Sequence, residues 1–569
     1  MKRERYIDLM ERTLLAYSEE HVRDYFDRVK KNGLTEHGFA RVVSDIGILI
    51  AHGRKLEYKE LFLEMMDFCT ETIPTMDTSR GTCANNDFTV REVICCIREL
   101  ENHGAVEKET LNLWKKRLST INPETCYRVV AKTPEDKVKN WALFTGVSEY
   151  FRYSTGIGGS MEFIDRQIAS QLQWLDENGM YMDGKGDTHH PFVYDLVPRG
   201  LFTLLLFEGY RGRYFSEIDE CLRKTGLLTL KMQSSTGEIP FGGRSNQFLH
   251  NEPWLAIVFE YEARRYAREG NLRLAGEFKA AIERALAVTE KWLFLDPIYH
   301  IKNRFPLETK HGCENYAYFD KYMTTAASFL YAAYMIADDS LEPTETPDGS
   351  PVAFLTSRHF HKLFLRAGGY ALELDYDGDP HYDASGLGRV HRAGAPSTVC
   401  LSCPCPSEPE YTVATDAVRP LSIAPALLSD GTWSFAFDKG AENEILDYAT
   451  DADSACGRLA STLPSGARLV SSYAASSEGV RITVSGKGTV GLALPAFTFD
   501  GESETEISLD GSTLSITYGT WCCRYTASGE IVSLDRLAAN RNGYYRTYLA
   551  RGTDTLSVSI KIERAEGNG

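Results

Sequence analysis

The stretch DGKGDTHHPFVYD, from Asp183 to Asp195, places two adjacent histidines, a tyrosine and three aspartates within thirteen residues. It lies between two segments of helical periodicity, so these groups fall on a loop and at a helix start. A second stretch, GGRSNQFLHNE, supplies Arg244, Asn246, His250 and Glu252. A third, HGCENYAYFDKYM, supplies His311, Glu314, Tyr316 and Tyr322. Imidazoles, phenols and carboxylates held together on loops are the side chains of general acid–base chemistry. Each also has a packing role open to it. Tyr194 suits a helix core, His189 and His190 suit a cap before Pro191, and Arg244 suits an ion pair that holds its Gly-rich turn. His250 with Glu252, and His311 with Glu314 and Tyr316, suit buried polar networks between helices. Asn86, in the polar run ANND, suits a helix cap. Asn140 and Trp141 open a helix, where a Trp either packs in the core or stacks on a ring ligand.

The elements that must position these residues fall into two halves. Residues 1 to about 340 read as successive amphipathic helices, such as RYIDLMERTLLAYSEEHV, EHGFARVVSDIGILIAHG and MEFIDRQIASQLQWLDENG. Their links are short, which predicts antiparallel neighbours, and glycines punctuate many of their ends. After SLEPTETPDGSP (340–351) period-two segments take over, including YALELDYD, TEISLDGSTLSITYG and DTLSVSIKIE. Alternation separated by Gly, Ser, Asp and Pro predicts antiparallel strands. The expected organisation is a helical domain over 1–345 and an antiparallel β-sandwich-like domain over 346–569.

Composition narrows the class. Hydrophobic content of 43% and charged content of 25% are those of a soluble globular chain, and 569 residues favour more than one domain. A net charge of −17 argues against nucleic acid or an anionic membrane surface as partner. No apolar run reaches membrane-spanning length, and the charged N-terminus lacks a signal-peptide core, so a cytoplasmic location is expected. The 13 cysteines are scattered and odd in number, which fits reduced thiols rather than a disulfide framework. Cys400, Cys403 and Cys405 have a metal-like spacing, but no second Cys/His pair accompanies them.

Three segments, NWALFTGVSEYFRYSTG, WLDENGMYMDGKGDTHHPFVYD and GEIPFGGRSNQFLHNEPWLA, followed by NYAYFDKYMTTAASFLYAAY, occur here in a particular order. That order resembles the heparinase II/III-type polysaccharide lyases and a related bacterial domain family, over about residues 135–335. The resemblance implies an α/α toroid of paired antiparallel helices followed by an antiparallel β-sheet domain. There are departures. Where these lyases often have an Asn-His pair, this chain offers Asn85–Asn86 or Asn140–Trp141. The nearest stretch to their β-domain His/Asp motif is HYDASGLGRVHR, with His381, Asp383, Arg389 and His391.

The chemistry implied is β-elimination at a uronic acid. Removing the proton α to a carboxylate builds negative charge there, which Arg, Asn or His donors stabilise. A base takes the proton and an acid protonates the leaving oxygen; a tyrosine, with a pKa near ~10, serves only where cations or donors stabilise its phenolate. No cofactor or metal is required. The expected catalytic residues are Tyr194, His190, Arg244 and His250. Asn86, Asn140, Trp141, His189, Asn246, Glu252, His311, Glu314 and Tyr316 are expected to contact substrate, a small oligosaccharide containing uronic acid and attacked at or near a chain end. The rival expectation is a glycoside hydrolase acting on glucuronides or unsaturated uronyl ends, with a proton donor drawn from Asp183, Asp187, Glu252 or Glu314. A third is a non-catalytic carbohydrate-binding protein.

Overall fold

The computed structural model describes residues 2–34, 36–76, 86–127, 139–183, 189–344, 350–415 and 419–565. Helices account for the regular structure up to Ile336, and no helix occurs among the described residues beyond it. Strands begin at Val352, and every strand pair is antiparallel.

Six helices form a closed inner ring: Gly38–Ala51, Val90–His103, Trp141–Ser154, Phe192–Phe207, Asn251–Arg268 and Thr325–Ile336. Each packs on the next, and the last returns to the first. Their sequences explain the position. TAASFLYAAYMI and FVYDLVPRGLFTLLLF are apolar around most of the circumference, as a helix enclosed on all sides must be. The outer layer includes Glu4–Leu14, Met161–Leu172, Phe215–Met232 and Leu272–Leu293, each against one or more inner helices. These are one-sided: in ERYIDLMERTL the buried set Tyr6, Ile7, Met10, Thr13 and Leu14 recurs at three- and four-residue steps. An inner ring backed by an outer layer is an α/α toroid.

Several charges caught between the helices are paired. Glu149 accepts from Arg152 at 2.6 Å, and Glu260 accepts from Lys279 at 2.9 Å. Removing one member of such a pair leaves an uncompensated buried charge, so these pairs hold register more than they add stability.

The β region comprises a four-stranded meander (Val352–Leu355, Lys362–Ala367, Tyr370–Asp375, Gly386–Arg392) and an eleven-stranded sheet. The long strands Gly479–Phe499 and Gly543–Arg564 pair through the centre of the larger sheet. Leu363, Leu365 and Leu372 of the small sheet share one core with Ile482, Val484 and Val558 of the large one, which makes the region sandwich-like. Phe360 and Phe364 carry that region onto the toroid, where they pack with Phe192, Met180 and Met232.

Close approach of the inner helices has a specific requirement at Gly200. A Cβ there would lie 2.2 Å from Cε3 of Trp254 on the neighbouring inner helix. Gly200→Ala is expected to lower stability by about 1–3 kcal/mol through overpacking. Chemical denaturation checks this; an unchanged midpoint would mean that the two helices do not meet there.

Candidate active site

All six inner helices present their N-terminal ends to one cavity of about 340 Å³. His37 and Arg41 come from the first, Phe88 from just before the second, and Asn140, Trp141 and Phe144 from the third. Tyr194, Trp254 and Phe329 come from the other three, the intervening loops add Lys139, Arg244, Ser245 and Tyr316, and the one-turn helix Phe319–Tyr322 adds Lys321 and Tyr322.

One corner is built around Asp183. Its carboxylate accepts from Asn140 Nδ2 at 2.9 Å and pairs with Arg244, with Lys139 Nζ at 3.9 Å. Arg244 in turn lies over Tyr194, with its guanidinium carbon 4.5 Å from the ring centroid. The Tyr194 hydroxyl is 3.2 Å from Ser245 Oγ, which is 2.6 Å from the hydroxyl of Tyr316. Burial pushes the phenols of Tyr316 and Tyr322 well up, so both stay protonated. Burial pushes His250 and His37 well down, so both rings are neutral.

The GGRS turn is what brings Arg244 to Tyr194. Gly242, Gly243 and Ser245 all hold positive φ, and a Cβ on Gly243 would lie 2.7 Å from Cβ of Pro191, just before the Tyr194 helix. Ser245 is held in this unfavourable region because its N–H donates to Glu314 Oε1 at 2.6 Å. Glu314 is itself fixed by Arg541 Nη2 at 2.8 Å, from the tip of a hairpin of the large sheet. The β region therefore braces the turn that carries Arg244.

Of the residues singled out in the sequence, Tyr194, Arg244, His250, Asn140, Trp141 and Tyr316 line this cavity. Asn86 opens the one-turn segment Asn86–Phe88, and its side chain lies outside the described residues, as do Asn85 and Asp187. The expected roles of His190 in catalysis and of His311 in substrate contact are corrected, since neither histidine lines the cavity. His190 is buried against Phe360, and its N–H donates to the His359 carbonyl at 3.1 Å, because the β region covers that side of the loop. His189 pairs with Asp377 at 3.5 Å. His311 stacks on Phe305, meets the Asn540 carbonyl through Nε2 at 2.9 Å and accepts from Ala414 N–H through Nδ1. Asn246 donates to the Pro240 carbonyl, and Glu252 is fully buried with both oxygens 2.8 Å from Lys302 Nζ. Glu314 acts behind the cavity, through Ser245. From HYDASGLGRVHR, His381 meets the Glu408 carbonyl, Arg389 pairs with Glu373, and His391 meets Ser234 Oγ at 2.6 Å; none lines the cavity.

No family model and no curated protein matches the chain. Solved structures do. A heparinase III matches with 11% identity over 93% of this chain and 79% of its own, at a TM-score of 0.47. A heparan sulfate lyase HepC mutant from Pedobacter heparinus matches with 8% identity over 93% of this chain and 76% of its own, at 0.46. A glycosyl hydrolase family 88 protein from Bacteroides vulgatus matches with 11% identity over 59% of this chain and 99% of its own, at 0.39. The family that the sequence resembles is among them. The toroid itself rests on the helix packing described above.

His37, Arg41, Lys139 and Lys321 were not marked by the sequence reading. Arg41 had a signal: it is the only cation in the mostly apolar segment GFARVVSDIGILIA, whose one acidic residue is Asp45. A charge at such a position must meet a partner or a ligand inside the ring.

Two outcomes are expected. Gly243→Ala forces the turn away from Pro191 and separates Arg244 from Tyr194, so ligand binding at the cavity weakens while the far-ultraviolet circular dichroism is kept; unaltered binding would contradict this. His311 gives a pH dependence. Burial lowers its pKa from the usual 6.5 to about 4, so between those values the unfolded chain binds a proton that the folded chain does not. Its contribution to stability is complete above pH 6.5 and is lost as the pH falls toward 4. Urea denaturation is expected to show wild type losing stability relative to His311→Gln over that window, and parallel curves would refute the assignment.

Proposed function

We propose that this chain is a carbohydrate-active lyase that cleaves uronic-acid-containing oligosaccharides by β-elimination, at or near a chain end. The lining of the cavity carries this reading. Arg41, Lys139, Arg244 and Lys321 stand there with three tyrosines, and no carboxylate occurs among the described lining residues. Six helix N-termini add about half a positive charge each. In a chain of net charge −17, this is a local inversion suited to an anionic ligand.

The corner formed by Arg244, Lys139 and Asn140 receives the uronate carboxylate, and the face of Trp141 receives a sugar ring. Tyr194, with the Arg244 guanidinium over its ring, acts as the base that takes the proton from C5. The electron pair of that C–H bond becomes the C4–C5 double bond as the C4–O bond breaks. The leaving oxygen takes a proton from Tyr194 or Tyr316. Negative charge that develops on the carboxylate is met by donors already in place, held there by Asp183. A cavity of about 340 Å³ walled in part by Trp254 and Phe329 suits a chain end better than the middle of a polymer.

Hydrolysis needs a carboxylic acid that donates a proton. Of the candidates among the described residues, Asp183 is taken up by Arg244 and Asn140, Glu252 by Lys302, and Glu314 by Ser245 and Arg541, while Asp187 lies outside them; this favours the lyase. Residues 1–345 would be the catalytic unit and 346–569 the sheet unit that braces it. The described cysteines are all free, which agrees with work on imported oligosaccharides in a reducing cytoplasm.

Incubation with a panel of uronic-acid oligosaccharides is expected to generate the ultraviolet absorbance of an unsaturated uronate. Tyr194→Phe is expected to cut turnover by ~10²-fold or more. Arg244→Ala is expected to cost about 3 kcal/mol in transition-state stabilisation. Glu252→Gln strips Lys302 of its charge partner, so it lowers thermal stability more than turnover. Cleavage without new absorbance, or an active Tyr194→Phe beside a folded but inactive Glu252→Gln, would overturn the lyase in favour of the hydrolase.

A further inference from the structure

The end of the toroid opposite the cavity holds a buried carboxylate with a different kind of partner. Glu92, Glu149 and Glu260, buried on inner helices, are each matched by an arginine or a lysine. Glu99, one turn before the end of Val90–His103, is buried as well, yet it pairs with no arginine or lysine among the described residues. It faces two imidazoles instead. Its Oε1 is 3.0 Å from Nε2 of His52, the residue that ends the neighbouring helix Gly38–Ala51, and 3.8 Å from Nδ1 of His103 on its own helix. The two rings lie 4.8 Å apart, and one nitrogen of each falls within 4.8 Å of the other and of a Glu99 oxygen.

The third helix at this end, Thr325–Ile336, sets the arrangement. The Tyr331 hydroxyl donates to Glu99 Oε2 at 3.0 Å, which turns Oε1 toward the imidazoles. Tyr334 meets the His52 ring edge-on, with centroids 5.3 Å apart. Burial opposes ionisation of Glu99, but hydrogen bonds from His52 and Tyr331 hold it below the usual carboxylate range. The arginines beside these residues in the chain are engaged elsewhere, Arg54 with Glu4, Asp8 and Glu11, and Arg98 with Glu208. The inner helices present their N-termini to the cavity, so their C-termini meet here, each worth about half a negative charge. This end therefore favours a cation as the other favours an anion.

Two imidazoles and a carboxylate are ligands of zinc and its neighbours in the first transition row. Separations of 3.0 and 3.8 Å bracket the roughly 3.3–3.5 Å expected between atoms held tetrahedrally by one zinc ion. The His103 side chain, 39% exposed, has room to complete the closure. His52 Nε2 now donates to Glu99 Oε1, and His103 Nδ1 donates to the Glu99 carbonyl at 3.0 Å. When those nitrogens bind a metal, each neutral ring holds its proton on the other nitrogen.

We propose that His52, Glu99 and His103 form a site for one divalent transition-metal ion, zinc being the best fit. The ion joins the C-terminal ends of two neighbouring inner helices, and its remaining position is open to water. A helix of 14 residues, roughly 20 Å long, separates it from Phe88 at the cavity, so the site is independent of the lyase reading.

Titration of the chelator-stripped full chain with zinc chloride, in competition with a chromophoric chelator, tests this. Wild type is expected to bind one zinc ion per chain at micromolar metal, and its thermal midpoint is expected to rise with zinc concentration. Cobalt chloride in place of zinc is expected to give weak visible bands without thiolate charge transfer. His103→Gln, at a half-exposed position, and Glu99→Gln, which keeps the shape of the buried side chain, are each expected to weaken zinc binding at least ~10-fold, since losing even a supporting partner of a ligand costs that much. Circular dichroism confirms that the variants fold. The proposal is overturned if wild type binds no zinc, which needs no variant. It is also overturned if a folded variant binds zinc as wild type does, or if cobalt shows thiolate charge transfer, which would place the metal on cysteines.

Discussion

Six helices whose N-terminal ends meet at one cavity set the electrostatics of this protein. Unpaired N–H groups and aligned peptide dipoles make that end positive before any side chain is added. The side chains then reinforce it: Arg41, Lys139, Arg244 and Lys321 face inward, while the acidic residues that give the chain its net charge lie elsewhere or are paired. An anionic ligand is favoured at one place and repelled from most of the rest of the surface.

Holding such a site costs stability locally, and the β region offsets that cost. Ser245 sits in a left-handed conformation that few non-glycine residues adopt, and it is kept there by Glu314. Glu314 is buried and would be a poor anchor without Arg541, whose guanidinium also reaches the Gly312 carbonyl at 3.1 Å and stacks over Tyr411. Arg541 lies in the two-residue turn between Asn540 and Gly543, and the Asn540 side chain accepts from Asn542 N–H to fix that turn. The chain of contacts from a hairpin tip to Arg244 makes the sheet part of the site's architecture, although it contributes none of the described lining residues.

The two ends of the cavity use charge differently. At the Asp183 corner, a carboxylate orients the cations and leaves them able to meet a ligand from the open side. At the floor, Arg41 is held by Glu92 and His37 with one nitrogen left over.

Periodicity by itself determined the helical and strand halves, and the change between them, because amphipathic spacing of three to four or of two is a local property. Residue type and local context likewise marked Tyr194 and Arg244, whose Gly-rich turn and helix start are short-range features. The resemblance implied the toroid, but closure of the ring is a contact between the helices Thr325–Ile336 and Gly38–Ala51, far apart in the chain. For the same reason His189, His190, His311 and Glu252 looked like site residues: loop histidines and a helix-start glutamate read alike whether they face a cavity or a covering sheet. Phe360, Lys302 and Asn540, which occupy those side chains, come from distant segments that only the tertiary structure brings up. Arg41 shows the converse. Its sequence context placed it in a mostly apolar helix, and only the packing of Val90–His103 and Thr325–Ile336 around it decided that Glu92 and Thr325 would be its partners.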